Sequence, residues 1–191
     1  GVIDSQDAVI GNKAYDLASL IDDVRLKTSI ILKKKIFDFY IKKQNKLSVD
    51  KFKNDFIAKV NKLKMGDPFD SNVDQGAIVS SNHLDKISKY VDYAKKDGGV
   101  ILAGGEAAKI EGDCYNGWFY KPTVIEGLPQ ESKVNQEEIF GPVVTITKFH
   151  DDEEAVEMAN NTQYGLASIL WTQNINKAHK LAELVESGLV W

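Results

Sequence analysis

The sequence predicts an α/β protein with mainly parallel strands, and three observations lead there. After about residue 50, short β-branched or aromatic runs alternate with stretches whose apolar residues recur at helical spacing. The connections are short and marked by glycine, proline or asparagine, as in an α/β layer with parallel strands. At 191 residues, with 43% apolar, the chain is long enough to bury a sizeable core.

Composition narrows the function classes. No apolar run approaches the roughly 18 residues of a membrane span and no signal peptide opens the chain, so a cytoplasmic protein without membrane contact is expected. Cys114 is the only cysteine, which excludes an internal disulfide and suits a reducing compartment. His83, His150 and His179 lie far apart, without a second histidine or a cysteine at ligand spacing. Arg25 is the only arginine, so bidentate recognition of phosphate or guanine is nearly excluded and no nucleic-acid partner is expected. Residues 1–47 hold nine basic and six acidic side chains against fifteen and twenty-two in the remainder, an asymmetry that points to two pieces of different origin. The chain opens on Gly1 and directly on Val2-Ile3, which reads as a start inside a larger protein.

In the first piece, a short apolar strand ending at Asp4 precedes a helix with Leu17, Leu20, Ile21 and Val24 on one face. A lysine-rich helix comes next, its stripe made by Ile36, Phe37, Tyr40 and Ile41. The second piece begins with a helix over 48–64, with Ser48 as N-cap and Phe52, Phe56, Val60 and Leu63 inward. Gly66 and Pro68 end it. The spacing of Leu84, Ile87, Val91 and Ala94 predicts a helix from about Ser81 to Lys96. A strand at Val100–Leu102 closes with Gly104-Gly105, and an aromatic and β-branched strand spans Gly117–Ile125, where Pro122 suggests an edge or a bulge.

Asp151 and Glu154 form a capping-box-like start to a helix that buries Ala155, Val156 and Ala159. Leu166–Trp171 is expected as a strand. A last helix, with Ile175, Ala178, Leu181, Ala182 and Val185 inward, leads to a closing strand at Leu189–Trp191.

The chemistry is expected at Gln136-Glu137-Glu138-Ile139-Phe140-Gly141-Pro142-Val143-Val144. A Gly-Pro turn ahead of Val143, Val144, Ile146 and Phe149 fixes where the chain enters the sheet. Glu138 and Phe140 then sit at the mouth of a strand, where α/β proteins place ligand-binding groups. From the residue alone, Glu138 is as readily a solvated surface acid as a ligand-binding group, and Glu137 is expected to be the former.

Six motifs in series, KMGDPFD, the strand ending in Gly104-Gly105, GWFYKPTVI, QEEIFGPVV, ANNTQYGLAS and ESGLVW, make residues from about 50 to 191 resemble the aldehyde dehydrogenase superfamily. The middle section is most similar to semialdehyde dehydrogenases of aromatic-ring catabolism. The resemblance implies part of a catalytic domain of three-layer α/β/α build with a mostly parallel sheet. It implies NAD or NADP as cofactor, a small-molecule aldehyde as substrate and a homo-oligomeric parent.

It also implies that Glu138 accepts hydrogen bonds from both hydroxyls of the nicotinamide ribose, a fit for two carboxylate oxygens facing a cis-diol. Phe140 would lie beside the nicotinamide. Chemistry in the family needs a cysteine nucleophile and a glutamate base. Cys114 comes after the Gly104-Gly105 strand instead of preceding the helix at 48–64, so a structural or exposed cysteine is expected there and the catalytic set is none. The residues that choose the aldehyde, and NAD over NADP, belong outside this segment.

Residues 1–47, through GVIDSQDAVIG and AYDLASLIDDVR, resemble the C-terminal lobe of aminoglycoside-phosphotransferase-like kinases. That resemblance implies a magnesium-binding role for Asp4 and a bracing role for Asp16, although Ser5 stands where the family has an aromatic. The expected organisation is therefore a kinase-like fragment over 1–47 and a dehydrogenase fragment over 48–191, a composite joined within Asp50–Phe56. Two other functions stay open: a phosphotransferase remnant and a non-catalytic interaction module.

Overall fold

A computed structural model describes residues 49–191. Asp4, Asp16 and Ser48 lie outside the described residues. The site belongs to a compact unit spanning Lys53–Trp191.

Helix α1 covers Val49–Val60, shorter than its sequence pattern, and ends in a turn at Asn61 and Lys62. The expected inward face is only partly covered: Phe56 and Val60 are half-buried, whereas Leu63 stays exposed. An ion pair from Lys53 Nζ to the Glu126 carboxylate at 3.0 Å ties α1 to the sheet. The KMGDPFD motif is a turn. Asp67 Oδ1 accepts from Phe69 N at 2.9 Å, and the Gly66 amide donates to the Gln75 carbonyl at 3.1 Å. Gln75 then donates from Nε2 to the Tyr120 carbonyl at 2.8 Å, pinning the turn to the body of the fold.

Helix α2, Ser81–Lys96, has the bounds that its apolar spacing predicts. Ser80 caps it, its hydroxyl accepting from His83 N, and Lys95 and Lys96 occupy the last turn, where cations suit the helix dipole. The chain leaves by a tight reversal in which the Gly99 amide donates to the Ala94 carbonyl at 2.8 Å, and Gly98 has a φ of 88°. Ile87, Val91 and Ala94 are buried, and with Tyr120, Ile125, Leu128, Val134 and Ile139 they form the core. Its driving force is the apolar surface that α2 and the sheet remove from water.

The principal sheet has strand β1 (Val100–Ala103), strand β4 (Thr123–Glu126) and strand β5 (Val143–Ile146) in the order β1-β4-β5. β4 and β5 are parallel, from Thr123 opposite Val143 to Glu126 opposite Ile146. β1 and β4 are antiparallel with a register shift between Ile101 and Ala103. A second, antiparallel pair joins strand β2 (Ala107–Ala108) to strand β3 (Phe119–Tyr120). The sheet is thus mixed, in contrast to the mostly parallel one that the alternation suggested.

The expected strand Gly117–Ile125 is divided, with Lys121 and Pro122 between β3 and β4. Proline has no N–H for a ladder, so the chain changes partners there, and β4 beyond it is the central strand instead of an edge. Gly104, with φ of 65°, passes so close that a Cβ would stand 2.3 Å from the Pro122 carbonyl oxygen. That approach lets Thr123 accept from Gly105 N at 2.8 Å while donating to the Lys121 carbonyl at 2.7 Å, so this buried hydroxyl is satisfied.

Helix α3 (Lys133–Gln136) is a single turn capped by Ser132 and packed on α2. Helix α4 (Asp152–Asn160) starts on Asp151, whose carboxylate accepts from Glu154 N at 2.9 Å, while Glu154 reaches back to His150 N at 2.6 Å. Helix α5 (Ile175–Leu184) packs on α4. Of the inward residues expected on these two helices and just beyond, only Leu181 and Val185 are buried. Ile175 is exposed, and Ala155 and Val156 are half-covered.

The strands expected at Leu166–Trp171 and Leu189–Trp191 reduce to one parallel bridge, Ser168 to Val190, flanked by hydrogen bonds from Ser168 N to Leu189 O and from Leu170 N to Trp191 O. ANNTQYGLAS and ESGLVW grip each other. Asn160 donates to the Leu184 carbonyl and accepts from Glu186 N, and the two hydroxyls of Ser168 and Ser187 meet at 2.6 Å.

Ile87 lies at the centre of this packing with no exposure. Ile87→Ala is expected to lower unfolding free energy by about 2–5 kcal/mol in urea denaturation, and Ile87→Val by about 0.5–1.5 kcal/mol. Equal effects would show that the core closes elsewhere.

Candidate functional site

The QEEIFGPVV segment joins α3 to β5, and several groups along it are held at named points. Gln136 donates from Nε2 to the Gln130 carbonyl at 2.9 Å and the Asn161 carbonyl at 2.8 Å, fixing the entry. Ile139 is buried in the core. Pro142 accepts from Thr123 N at 2.8 Å, which starts the parallel ladder of β4 and β5.

Helix α2 supplies the rest. Lys86 Nζ donates to the Glu138 carbonyl at 2.9 Å, His83 Nε2 lies 2.6 Å from the Phe140 carbonyl oxygen, and the Tyr90 hydroxyl donates to the Glu137 carboxylate. Residues 83, 86 and 90 fall at i, i+3 and i+7, one face of a helix. Beneath them Ile87 meets Gly141 so closely that a Cβ there would lie 2.6 Å from the Ile87 Cδ1 and Cγ1 atoms. The glycine is therefore required by contact, since any larger residue would lift the loop off α2.

Two side chains project from this tethered backbone. Glu138 is exposed, and among the described residues its carboxylate has no hydrogen bond or ion pair. Phe140 leaves 76% of its surface exposed and has a φ of 55°, the one left-handed non-glycine among the described residues. An L residue with a Cβ adopts that region at a cost of about 1–2 kcal/mol. Strain of this kind persists where surrounding contacts over-determine the backbone, and such places cluster at ligand sites.

The loop lies at the amino end of β5, whereas α/β crevices form beyond the carboxyl ends of strands. The strand-mouth argument therefore does not account for the position, and tethering by α2 does. Glu137, expected to be merely solvated, is the acceptor for Tyr90. Cys114 is half-buried in the 3₁₀ turn Gly112–Cys114 between β2 and β3, on the other sheet.

The missed residues are His83, Lys86 and Tyr90. Sequence patterning picks the apolar face of α2, and their signal was only the helical spacing of polar groups on its neighbouring edge.

The Glu137 hydrogen bond, then desolvation and the Glu137 charge, push the Tyr90 phenol up to about 12 from its ordinary 10.0. A raised acid binds its proton more tightly in the folded state, so the stabilisation is complete below pH 10.0 and is lost as pH rises through about 12. Glu137→Gln is expected to return the Tyr90 midpoint toward 10.0, read by NMR of ¹³C-labelled tyrosine. Tyr120, raised by burial also to about 12, serves as the internal control and keeps its midpoint.

Comparison with known proteins gives this geometry a family. Residues 44–191 match the family model described as "Aldehyde dehydrogenase family". The chain is 41% identical over 140 residues to an acetaldehyde dehydrogenase of Pseudomonas aeruginosa, an alignment covering 73% of this chain and 28% of that protein. It is 37% identical over 142 residues to a 2-aminomuconic 6-semialdehyde dehydrogenase of Pseudomonas sp., covering 74% of this chain and 29% of the relative. The fold superposes on the crystal structure of betaine aldehyde dehydrogenase from Staphylococcus aureus in complex with NAD+ with a TM-score of 0.70 and 38% identity, over 78% of this chain and 29% of that one. The chain thus spans less than a third of the length of the relatives that it matches. With 148 of its residues, 44 to 191, in the family match and a mixed α/β fold shared with solved members, the chain belongs to the aldehyde dehydrogenase family.

Proposed function

We propose that the Glu138–Phe140 loop is the nicotinamide-ribose side of the cofactor site of an NAD(P)-dependent aldehyde dehydrogenase. The longer protein would oxidise an aldehyde, and more finely a semialdehyde, to a carboxylate. The observation that carries this reading is a contrast within three residues. The backbone at Glu138 and Phe140 is tied to α2 at both carbonyls, yet the Glu138 carboxylate is exposed and has no partner among the described residues. A carboxylate held from behind and open in front suits a ligand with two adjacent donors.

The residues present fit such a ligand. Glu138 has two acceptor oxygens for a ribose cis-diol, and charge-assisted bonds of this kind are about twice as strong as neutral ones. The exposed Phe140 ring offers an apolar face next to it. When bound, NAD(P) supplies the hydride acceptor. Glu138 and Phe140 act by orientation: the carboxylate fixes the sugar, and the ring limits how the base attached to it turns. Support for NAD comes from the relative solved with NAD+, and support for a semialdehyde from the 2-aminomuconic 6-semialdehyde dehydrogenase.

Nucleophilic attack on an aldehyde needs a thiolate within reach of the substrate. Cys114, the only thiol in the sequence, sits on the other sheet from β5. We infer that the chain binds without turning over.

Two outcomes check this. Titration of the 191-residue chain with NADH, monitored by NMR, is expected to shift the Glu138 and Phe140 amides, and Glu138→Gln is expected to weaken binding about tenfold or more. Shifts confined to other residues, or an unaltered affinity in Glu138→Gln, would refute the ribose site. Aldehyde-dependent NADH formation, measured as absorbance growth, is expected to be absent from the purified chain, and a turnover abolished by Cys114→Ser would contradict that.

A further inference from the structure

Binding through Glu138 and Phe140 requires a fixed backbone, and the strained residue in it needs an explanation. Phe140 has φ of 55° and is succeeded by Gly141, whose conformation offers no hold of its own because glycine is permissive. Without an external contact the two residues would relax toward the right-handed or extended regions, and the Glu138 carboxylate and Phe140 ring would turn with them.

One contact acts directly on the strained residue. His83 Nε2 is 2.6 Å from the Phe140 carbonyl oxygen, and a carbonyl only accepts, so the imidazole carries a proton at Nε2 and donates it. His83 is held in turn by the first turn of α2, where its own amide donates to the Ser80 hydroxyl at 3.2 Å. Neighbouring contacts hold other atoms. Lys86 holds the Glu138 carbonyl, Tyr90 the Glu137 carboxylate, and Ile87 the space beneath Gly141. Among the described residues, only His83 acts on the peptide unit between Phe140 and Gly141.

We infer that His83 is a positioning residue for the cofactor loop, its Nε2–H bond selecting the left-handed backbone of Phe140 and through it the placement of the Glu138 carboxylate and the Phe140 ring. The role rests on the ribose-binding reading of Glu138. It makes the first turn of α2 part of the site, although no atom of that turn needs to touch the ligand. The bond requires a donor at the Nε2 position, so a glutamine, whose terminal amide reaches a similar point, replaces it, and alanine does not.

The test uses the full chain, wild type, His83→Ala and His83→Gln, with two readouts. The first is the strong intraresidue amide-to-Hα NOE of a left-handed residue at Phe140. The second is NADH titration. His83→Ala is expected to abolish the NOE and to weaken NADH binding roughly 2- to 12-fold, the span of one neutral hydrogen bond. His83→Gln is expected to retain the NOE and an affinity within about twofold of wild type.

An NOE and an affinity unchanged in His83→Ala would overturn the role of His83 while leaving the ribose site in place. Loss in both variants alike would also overturn it, because a donor would then not be what matters. A wild-type chain that gives no NADH-dependent shift at Glu138 would overturn the ribose reading and the positioning role together.

Discussion

Ile87 is the contact on which the site depends. Its side chain is wholly buried among Val91, Ala94, Tyr120, Ile125 and Ile139, and its outer atoms set the plane on which Gly141 rests. Seated there, the loop presents the Glu138 and Phe140 carbonyls to Lys86 and His83, and the Pro142 carbonyl to Thr123. A hydrophobic contact with no direction thus determines whether these directional bonds can form. Dispersion and burial set the distance, and the hydrogen bonds select the conformation.

The polar contacts differ in what they contribute. Those of His83 and Lys86 with the loop lie near the surface, where a typical net value is about 0.5–1.5 kcal/mol. Together they are of the same order as the cost of a left-handed phenylalanine, about 1–2 kcal/mol. The loop is therefore held by a narrow margin and by several contacts at once. Loss of the His83 bond would then change the loop's conformation without unfolding the core beneath it. Such a balance fits the proposed task of holding two side chains out toward a ligand.

Helix α2 and the bounds of the loop were more legible in the sequence than the sheet. The periodic helix α2 was legible, because its four apolar positions repeat at 3.6. QEEIFGPVV was legible because a Gly-Pro turn and a β-branched run leave few alternatives. The mixed sheet was not, since alternation gives the order of elements and leaves the sense of β1 against β4 undecided. The division of Gly117–Ile125 could have been read from Pro122, taken as a change of partner instead of an edge. Burial on α4 and α5 was overestimated because a helical stripe shows which face is apolar and says nothing of what covers it. His83, Lys86 and Tyr90 were missed for a related reason: a polar residue beside an apolar stripe looks the same whether it meets water or a carbonyl.

The proposed ribose site centres on Glu138, an exposed acid whose own carbonyl and that of Phe140 are held by α2. The most direct measurement is of intermolecular NOEs between the 191-residue chain and NADH. The account predicts contacts from Glu138 Hγ and the Phe140 ring to protons of the nicotinamide ribose. Contacts from the nicotinamide ribose to other residues, with none to Glu138 or Phe140, would contradict it.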